Sequence, residues 1–200
     1  MPRVSSKDKY TVQVFELFKQ YGLSLNMEQI AQKLGLTKKT LYNNFTSKQE
    51  LINTVVNHFY ASLERDMRFV IDNSDNAIEA MFSVSRIITN HIAELGHVFL
   101  KDISIYNACD EIFAFTERVN FYSKFLVENL NRGINEGIFR KDLNMEYTTI
   151  FYNSAIERFY RWNGEFKYFA CAQEYHWELV KHHLYSVVND DGKLMLEKYL

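Results

Sequence analysis

Asn26–Glu50 reads NMEQIAQKLGLTKKTLYNNFTSKQE. Its spacing predicts two short helices joined by a tight turn, followed by the start of another helix. Met27, Ile30, Ala31 and Leu34 recur at helical intervals and form one apolar stripe. Asn26 stands where it can cap that helix, and Gln29, three positions on, completes a capping box. Gly35 has the backbone freedom for a sharp turn, and Leu36 pins the turn to a core. Thr37 caps the next helix. Its apolar side is Leu41 and Phe45; its other side is Lys38, Lys39, Thr40, Asn43 and Asn44. A helix this short is unstable alone in water, so its neighbours must hold it. Held in place, it offers cations and amides outward, the groups that a helix entering the DNA major groove needs.

Composition agrees with a helical protein. Of the 200 residues, 47% are hydrophobic, enough for a substantial core in one or two domains. The one proline is Pro2, so no ring interrupts a helix further on. Period-two alternation is hard to find, and the fold class expected is all-α. Residues 1–50 carry eight basic and four acidic side chains, net +4, whereas the remaining 150 carry 15 basic and 21 acidic, net −6. A basic front on an acidic body points to polyanion contact by the first part alone.

Other classes find less support. Cys109 and Cys171 are scattered thiols without CxxC spacing, which argues against a disulfide framework or a zinc site. The opening MPRVSSKDKY lacks the apolar segment of a signal peptide, and no apolar run approaches the ~18 residues of a membrane span. The expected location is the cytoplasm, with no membrane partner. No phosphate-binding glycine loop or nucleophile elbow occurs, so neither an enzyme nor a cofactor is expected. Glu94-x-x-His97 has the carboxylate–histidine spacing of di-iron bundles, which makes a helical-bundle metal or redox protein the rival from another class. A di-iron site needs two such motifs and two further carboxylates; only one motif is present, and no metal site is assigned.

Along the chain, residues 1–7 read as an arm whose Arg3, with Lys7 and Lys9 nearby, either touches phosphates or a minor groove or lies solvated. The first helix is expected from Lys7 to Tyr21, on the stripe Val14, Leu17, Phe18 and Tyr21. Ser47 and Glu50 form an S-x-x-E box that opens a fourth helix, running through Leu51, Ile52, Val55, Phe59 and Leu63 to about Phe69. Further helices are expected over 77–95, 98–107, 110–138, 144–162 and 170–189. In the last two, Tyr152, Ile156 and Tyr160 run beside Phe151, Ala155 and Phe159, and Val180, Leu184 and Val188 beside Leu179, His183 and Val187. Stripes this wide exceed what one internal contact needs and suggest a second, intermolecular face.

The run Thr37-Lys38-Lys39-Thr40-Leu41-Tyr42-Asn43-Asn44-Phe45, followed by Ser47-Lys48-Gln49-Glu50-Leu51, resembles the tetracycline-repressor (TetR) family of bacterial transcription regulators. Ile30-Ala31, Gly35, Thr40-Leu41-Tyr42, Phe45, Lys48 and Leu51 carry the match, which covers roughly residues 8 to 60 well and the remainder only in general character. The resemblance implies a three-helix helix-turn-helix DNA-binding domain over 1–50, linked by the fourth helix (47–70) to a helical effector-binding and dimerisation domain over 51–200. It implies a regulator, a repressor in the main reading, that binds a palindromic DNA operator as a homodimer. Release follows when a small apolar or aromatic effector binds the body, where Phe99, Tyr106, Phe113, Phe115, Phe121, Tyr122 and Phe125 lie. An activator without a ligand is the alternative within the same motif.

Site residues follow from chemistry and resemblance together. Lysine donates to guanine O6 and N7, and asparagine pairs with adenine N6 and N7. The resemblance assigns Lys38, Lys39, Asn43 and Asn44 mainly to bases, and Thr40, Tyr42 and Lys48 mainly to phosphates. It assigns Tyr152, Ile156, Tyr160, Val180, Leu184 and Val188 to a dimer interface shaped as a four-helix bundle. Three positions depart from the family pattern. Lys39 adds a cation where a small residue is common, Thr46 replaces a common proline, and Glu28 is acidic near the groove and is not assigned to DNA.

Overall fold

The computed structural model describes residues 5–107, 113–162 and 172–200. These form ten helices: α1 Ser6–Tyr21, α2 Met27–Lys33, α3 Lys38–Asn44, α4 Lys48–Asp72, α5 Ala77–Glu94, α6 His97–Asn107, α7 Phe113–Asn135, α8 Met145–Trp162, α9 Ala172–Val187 and α10 Asp190–Leu196. Among the described residues the one β-type pairing is an isolated bridge between Phe139 and Val188. The chain divides into two compact units. One takes the described residues of Met1–Leu63 and Ile92–Glu111, the other those of Glu64–His91 and Ile112–Leu200. Two of the three boundaries fall inside helices, α4 and α5, and the third lies outside the described residues.

The first unit forms around Val14 and Phe18 of α1, Ile30 of α2, Leu41 of α3 with Phe45 at its C-cap, Leu51 and Val55 of α4, and Phe99 of α6, all fully buried. The sequence sets the helix ends. Ser5 accepts the Asp8 N–H and caps α1. The α1 helix therefore begins inside the stretch expected as an arm, and Lys7 is helical. The capping box at Asn26 and Gln29 is present in both directions. At Gly35 (φ 65°) the Leu36 N–H donates to Ala31 O and the Gly35 N–H to Gln32 O, the two bonds of a Schellman turn. The α6 helix packs on α1, where the Asp102 carboxylate accepts the Leu23 N–H at 2.6 Å. Phe99, expected in an effector-binding body, stands instead against Phe15 and Phe18 of this unit, with ring centroids 5.9 Å from each.

In the second unit, α5 supplies Ala77, Ile78, Ala80, Met81 and Val84, α7 supplies Phe125, Leu126 and Leu130, and α9 supplies Val180, Leu184 and Val187 to the interior. A polar knot holds the bend between α4 and α5. Asn76 accepts the Ile78 and Glu79 N–H groups, Glu136 accepts the Ala77 N–H, and Arg132 donates to the Ser74 carbonyl. The helix expected to run to Asn189 ends at Val187, and Asn189 caps a tenth, unexpected helix by accepting the Gly192 N–H. A Cβ at Gly192 would stand 2.0 Å from Ile138 O, so only glycine lets α10 fold back against the Phe139 bridge.

Two buried histidines lie on α9. Burial lowers both His176 and His183 to about pKa 4, so they are neutral in the folded protein at pH 7. The His183 ring sits 4.4 Å from that of Tyr152, whose hydroxyl accepts from Tyr122 at 3.4 Å.

Candidate nucleic-acid interface

Leu41 and Phe45 fix the depth of α3, both with no exposed surface. Their burial turns the opposite face of the helix to solvent. Lys38, Lys39, Tyr42 and Asn43 are exposed there, and Thr40, Asn44 and Lys48 are half-buried. Thr37 accepts the Thr40 N–H at 3.1 Å, and the two hydroxyls meet at 2.8 Å. The seven residues expected to meet DNA are thus gathered on α3 and the first turn of α4.

They are not equally available. Asn44 donates its amide to Thr40 O at 2.8 Å, which leaves its carbonyl oxygen freer than its nitrogen. Lys38 lies 3.7 Å from Glu28, an exposed pair of little strength. Glu28 therefore stands beside Lys38 without holding it firmly. Lys39, Tyr42, Asn43 and Lys48 have no side-chain partner among the described residues. Asn43 is the amide free to present both its donor and its acceptor.

A further cluster sits at the exit of α3. Glu50 donates its N–H to Ser47 Oγ at 3.1 Å, the cap expected from S-x-x-E. Its carboxylate does not close the box on Ser47. It accepts the Thr46 N–H at 2.6 Å, the Thr46 hydroxyl at 2.7 Å and Lys7 Nζ at 2.6 Å. The Lys7 hydrogen bond first, and those of Thr46 next, lower the Glu50 carboxyl to about pKa 2. Lys7 also lies over the Phe45 ring, 5.5 Å from its centroid. Lys7 is thereby committed inside the protein, Lys9 is exposed, and Arg3 lies outside the described residues. The S-x-x-E spacing marked Glu50, but nothing local marked Lys7, 43 positions away.

The stripe assigned to a dimer interface is placed differently. Tyr152, Val180, Leu184 and Val188 are buried in the interior of the chain itself. Ile156 is half-buried, and the Tyr160 side chain lies outside the described ones. Among the described side chains of α8, the exposed apolar ones are Tyr147, Ile150 and Phe151, the last 75% exposed. On α9, Tyr175 and Tyr185 are also exposed. Cys109 and Cys171 lie outside the described residues, and among those described no group of three or more His, Cys, Asp or Glu is arranged to hold a metal ion. No described helix is long and apolar enough to cross a membrane. Of the aromatic residues expected in the helical body, none of which was assigned to a pocket, Phe125 is buried, Phe121 and Tyr122 are half-buried, and the side chains of Tyr106, Phe113 and Phe115 are not among those described.

Comparison with known proteins gives matches over the same stretch and beyond it. The family described as bacterial regulatory proteins, tetR family, matches residues 15–55. The HTH-type transcriptional repressor KstR2 of Mycobacterium tuberculosis is 29% identical over 168 residues, covering 80% of this chain and 83% of that protein. An HTH-type transcriptional regulator of Bacillus subtilis, YvaF, is 37% identical over 68 residues, 34% of this chain and 36% of its own. Among solved structures, a transcriptional regulator from Cytophaga hutchinsonii superposes with a TM-score of 0.77 at 15% identity, over 91% of this chain and 98% of that one. The structure of KstR2 superposes with a TM-score of 0.60 at 22% identity, over 94% and 98%.

Proposed function

We propose that this chain, which belongs to the tetracycline-repressor (TetR) family of bacterial transcription regulators, is a repressor that binds a palindromic operator as a homodimer and is released by a small apolar or aromatic effector. The observation that carries the DNA half of this reading is the face of α3. Lys39, Tyr42 and Asn43 stand out from a helix whose other side is sealed by Leu41 and Phe45, with Lys48 beside them. Phosphate contacts fix register and base contacts specify. Lys48, Thr40 and Tyr42 take the first role. Lys38, Lys39 and Asn43 take the second, with Asn44 a weaker reader because its amide is already engaged.

Dimerisation supplies the second half-site. The row Tyr147, Ile150 and Phe151 on α8, with Tyr175 and Tyr185 on α9, supports a two-fold contact on this face rather than on the buried stripe. Two copies of α3 would then meet half-sites separated by about 34–36 Å or a further helical turn. Sensing would belong to the second unit: an effector that binds the DNA-incompetent state more tightly draws the population away from DNA. The repressive sign follows the description of the M. tuberculosis relative.

Randomised-site selection followed by salt titration tests this reading. The expected product is a palindromic duplex. Lys48→Ala should weaken binding to every sequence and reduce the salt slope by about 1. Asn43→Ala should instead relax the preference at one base pair of each half-site. An unchanged slope would remove Lys48 from the phosphates, and an unchanged base preference would remove Asn43 from the groove.

A further inference from the structure

Outside the residues assigned to DNA, one carboxylate joins three elements of the first unit. Lys7 stands in the first turn of α1, Thr46 at the exit of α3 and Glu50 in the first turn of α4. All three meet at the Glu50 carboxylate, at 2.6 to 2.7 Å. We propose that Glu50 is a positioning residue for the recognition helix: its clasp on Lys7 and Thr46 fixes the angle at which α3 presents its base-reading side chains. The clasp thereby sets discrimination between DNA sequences rather than affinity for DNA in general.

The geometry explains why such a clasp is needed. The α3 helix has seven residues, too few to hold its own shape. Its entry is fixed by the Schellman turn at Gly35 and the cap at Thr37. Its inward contacts, Leu41 and Phe45, set depth, but two apolar side chains one turn apart leave the helix free to rock about the line joining them. A proline at position 46 would restrain the exit through its ring, yet it would carry no N–H. Thr46 leaves φ free and supplies two donors, and Glu50 accepts both. Lys7 then ties that carboxylate back to α1 while covering the Phe45 ring. Each bond has an ionised acceptor, the stronger class of hydrogen bond. The Lys7 and Glu50 side chains remain 43% and 32% exposed, so the clasp can be altered without opening the core.

The proposal rests on the reading that α3 enters the groove, and the two are tested apart. Two DNA probes serve throughout: the tightest duplex recovered by randomised-site selection with the unsubstituted chain, and poly(dI–dC). Glu50→Ala and Lys7→Met should lower the ratio of specific to non-specific affinity, by about tenfold for Glu50→Ala, with the affinity for poly(dI–dC) and the salt slope unchanged. Glu50→Gln, which keeps an oxygen for the Thr46 N–H but loses the charge that holds Lys7, should lose less. Lys7→Arg should restore the ratio. The exchange Lys7→Glu with Glu50→Lys should not, because an ammonium has no lone pair for Thr46.

A merely structural role would lower the thermal midpoint and both affinities in proportion, and that result would overturn the proposal. A salt slope reduced by about 1 in Lys7→Met would make Lys7 a phosphate contact and overturn it as well. If Glu50→Ala does not fold, Lys7→Met and Glu50→Gln decide by the same comparison. Asn43→Ala on the same probes reports on the groove reading separately. If that variant keeps every base preference while the Glu50 variants lose theirs, the assigned reader is wrong and the clasp stands. If selection with the unsubstituted chain enriches no duplex, both readings fall.

Discussion

Helix starts in the unit that carries α3 are capped by side chains three residues away, whereas the bend between α4 and α5 in the other unit adds to its local Asn76 cap groups from more than fifty positions off. Ser5 serves α1, Asn26 serves α2, Thr37 serves α3 and Ser47 serves α4. In the other unit, Arg132 reaches the Ser74 carbonyl, Glu136 the Ala77 N–H and Asn129 the Ala77 carbonyl. The polar groups differ in depth too. In the first unit Lys7, Glu50 and the α3 side chains meet water; in the second, His176 and His183 are buried and neutral. The first unit is a set of short helices whose ends are locally encoded and whose outward groups remain available. The second is a packed body in which Asn129, Arg132 and Glu136 commit their polar groups to the bend between α4 and α5.

The largest effect expected on stability is in the first unit. Phe45→Ala removes a fully buried ring and should cost about 3–5 kcal/mol. Both tryptophans, Trp162 and Trp177, belong to the second unit, so their fluorescence reports on it alone. If the two units are separable, circular dichroism should show an early transition in denaturant while the fluorescence transition stays in place. Coincident shifts would show that the units unfold as one and would break the comparison.

Acid should act in the opposite order. The folded pKa of His176 and His183, about 4, lies below the ordinary 6.5. Unfolded chains therefore take up these protons first as pH falls. Their contribution is intact above pH 6.5 and is lost between 6.5 and 4, at no more than about 1.4 kcal/mol per pH unit for each histidine. Glu50, lowered from 4.5 to about 2, contributes above pH 4.5 and loses that contribution only as pH falls further. Between pH 6.5 and 4.5 the second unit should weaken while the clasp at α3 holds. His183→Leu should flatten the pH dependence of the fluorescence midpoint, and an unaltered slope would mean that His183 is not what acid attacks.

The smallest effect on the protomer itself is expected at its open apolar row. Phe151 is 75% exposed, and Phe151→Glu should change protomer stability by less than about 0.5 kcal/mol. It should nevertheless convert the proposed dimer to a monomer in light scattering. Tyr152→Glu, one residue on, should unfold the second unit instead, because that side chain is interior. A monomeric mass for the unsubstituted chain would refute the dimer face altogether.

Much of the first unit was legible because its determinants are local. Asn26 and Gln29, Thr37 with Thr40, Gly35 with Leu36, and Ser47 with Glu50 lie within four residues of one another, and backbone geometry alone brings such pairs together. The α10 helix was missed because Asn189-Asp190-Asp191-Gly192 has the composition of a helix end. Asn189 nevertheless caps it locally, with Asp190 and Asp191 in the first turn; only the packing of Gly192 against Ile138 depends on distant residues. That Tyr152, Val180, Leu184 and Val188 are buried within the chain was not legible, because periodicity shows that a helix has two apolar rows, not which of them the fold consumes.

The sequence by itself determined an all-α chain, the caps and turn around α3, and the side chains that α3 turns outward, since each depends on spacing along a single helix. Tertiary structure decided that Phe99 completes the first core, that Tyr152 and Val180 face inward while Phe151 faces out, and that Lys7 is bound to Glu50. Those outcomes depend on which distant surfaces meet, and burial is a property of the pair of surfaces rather than of either stretch.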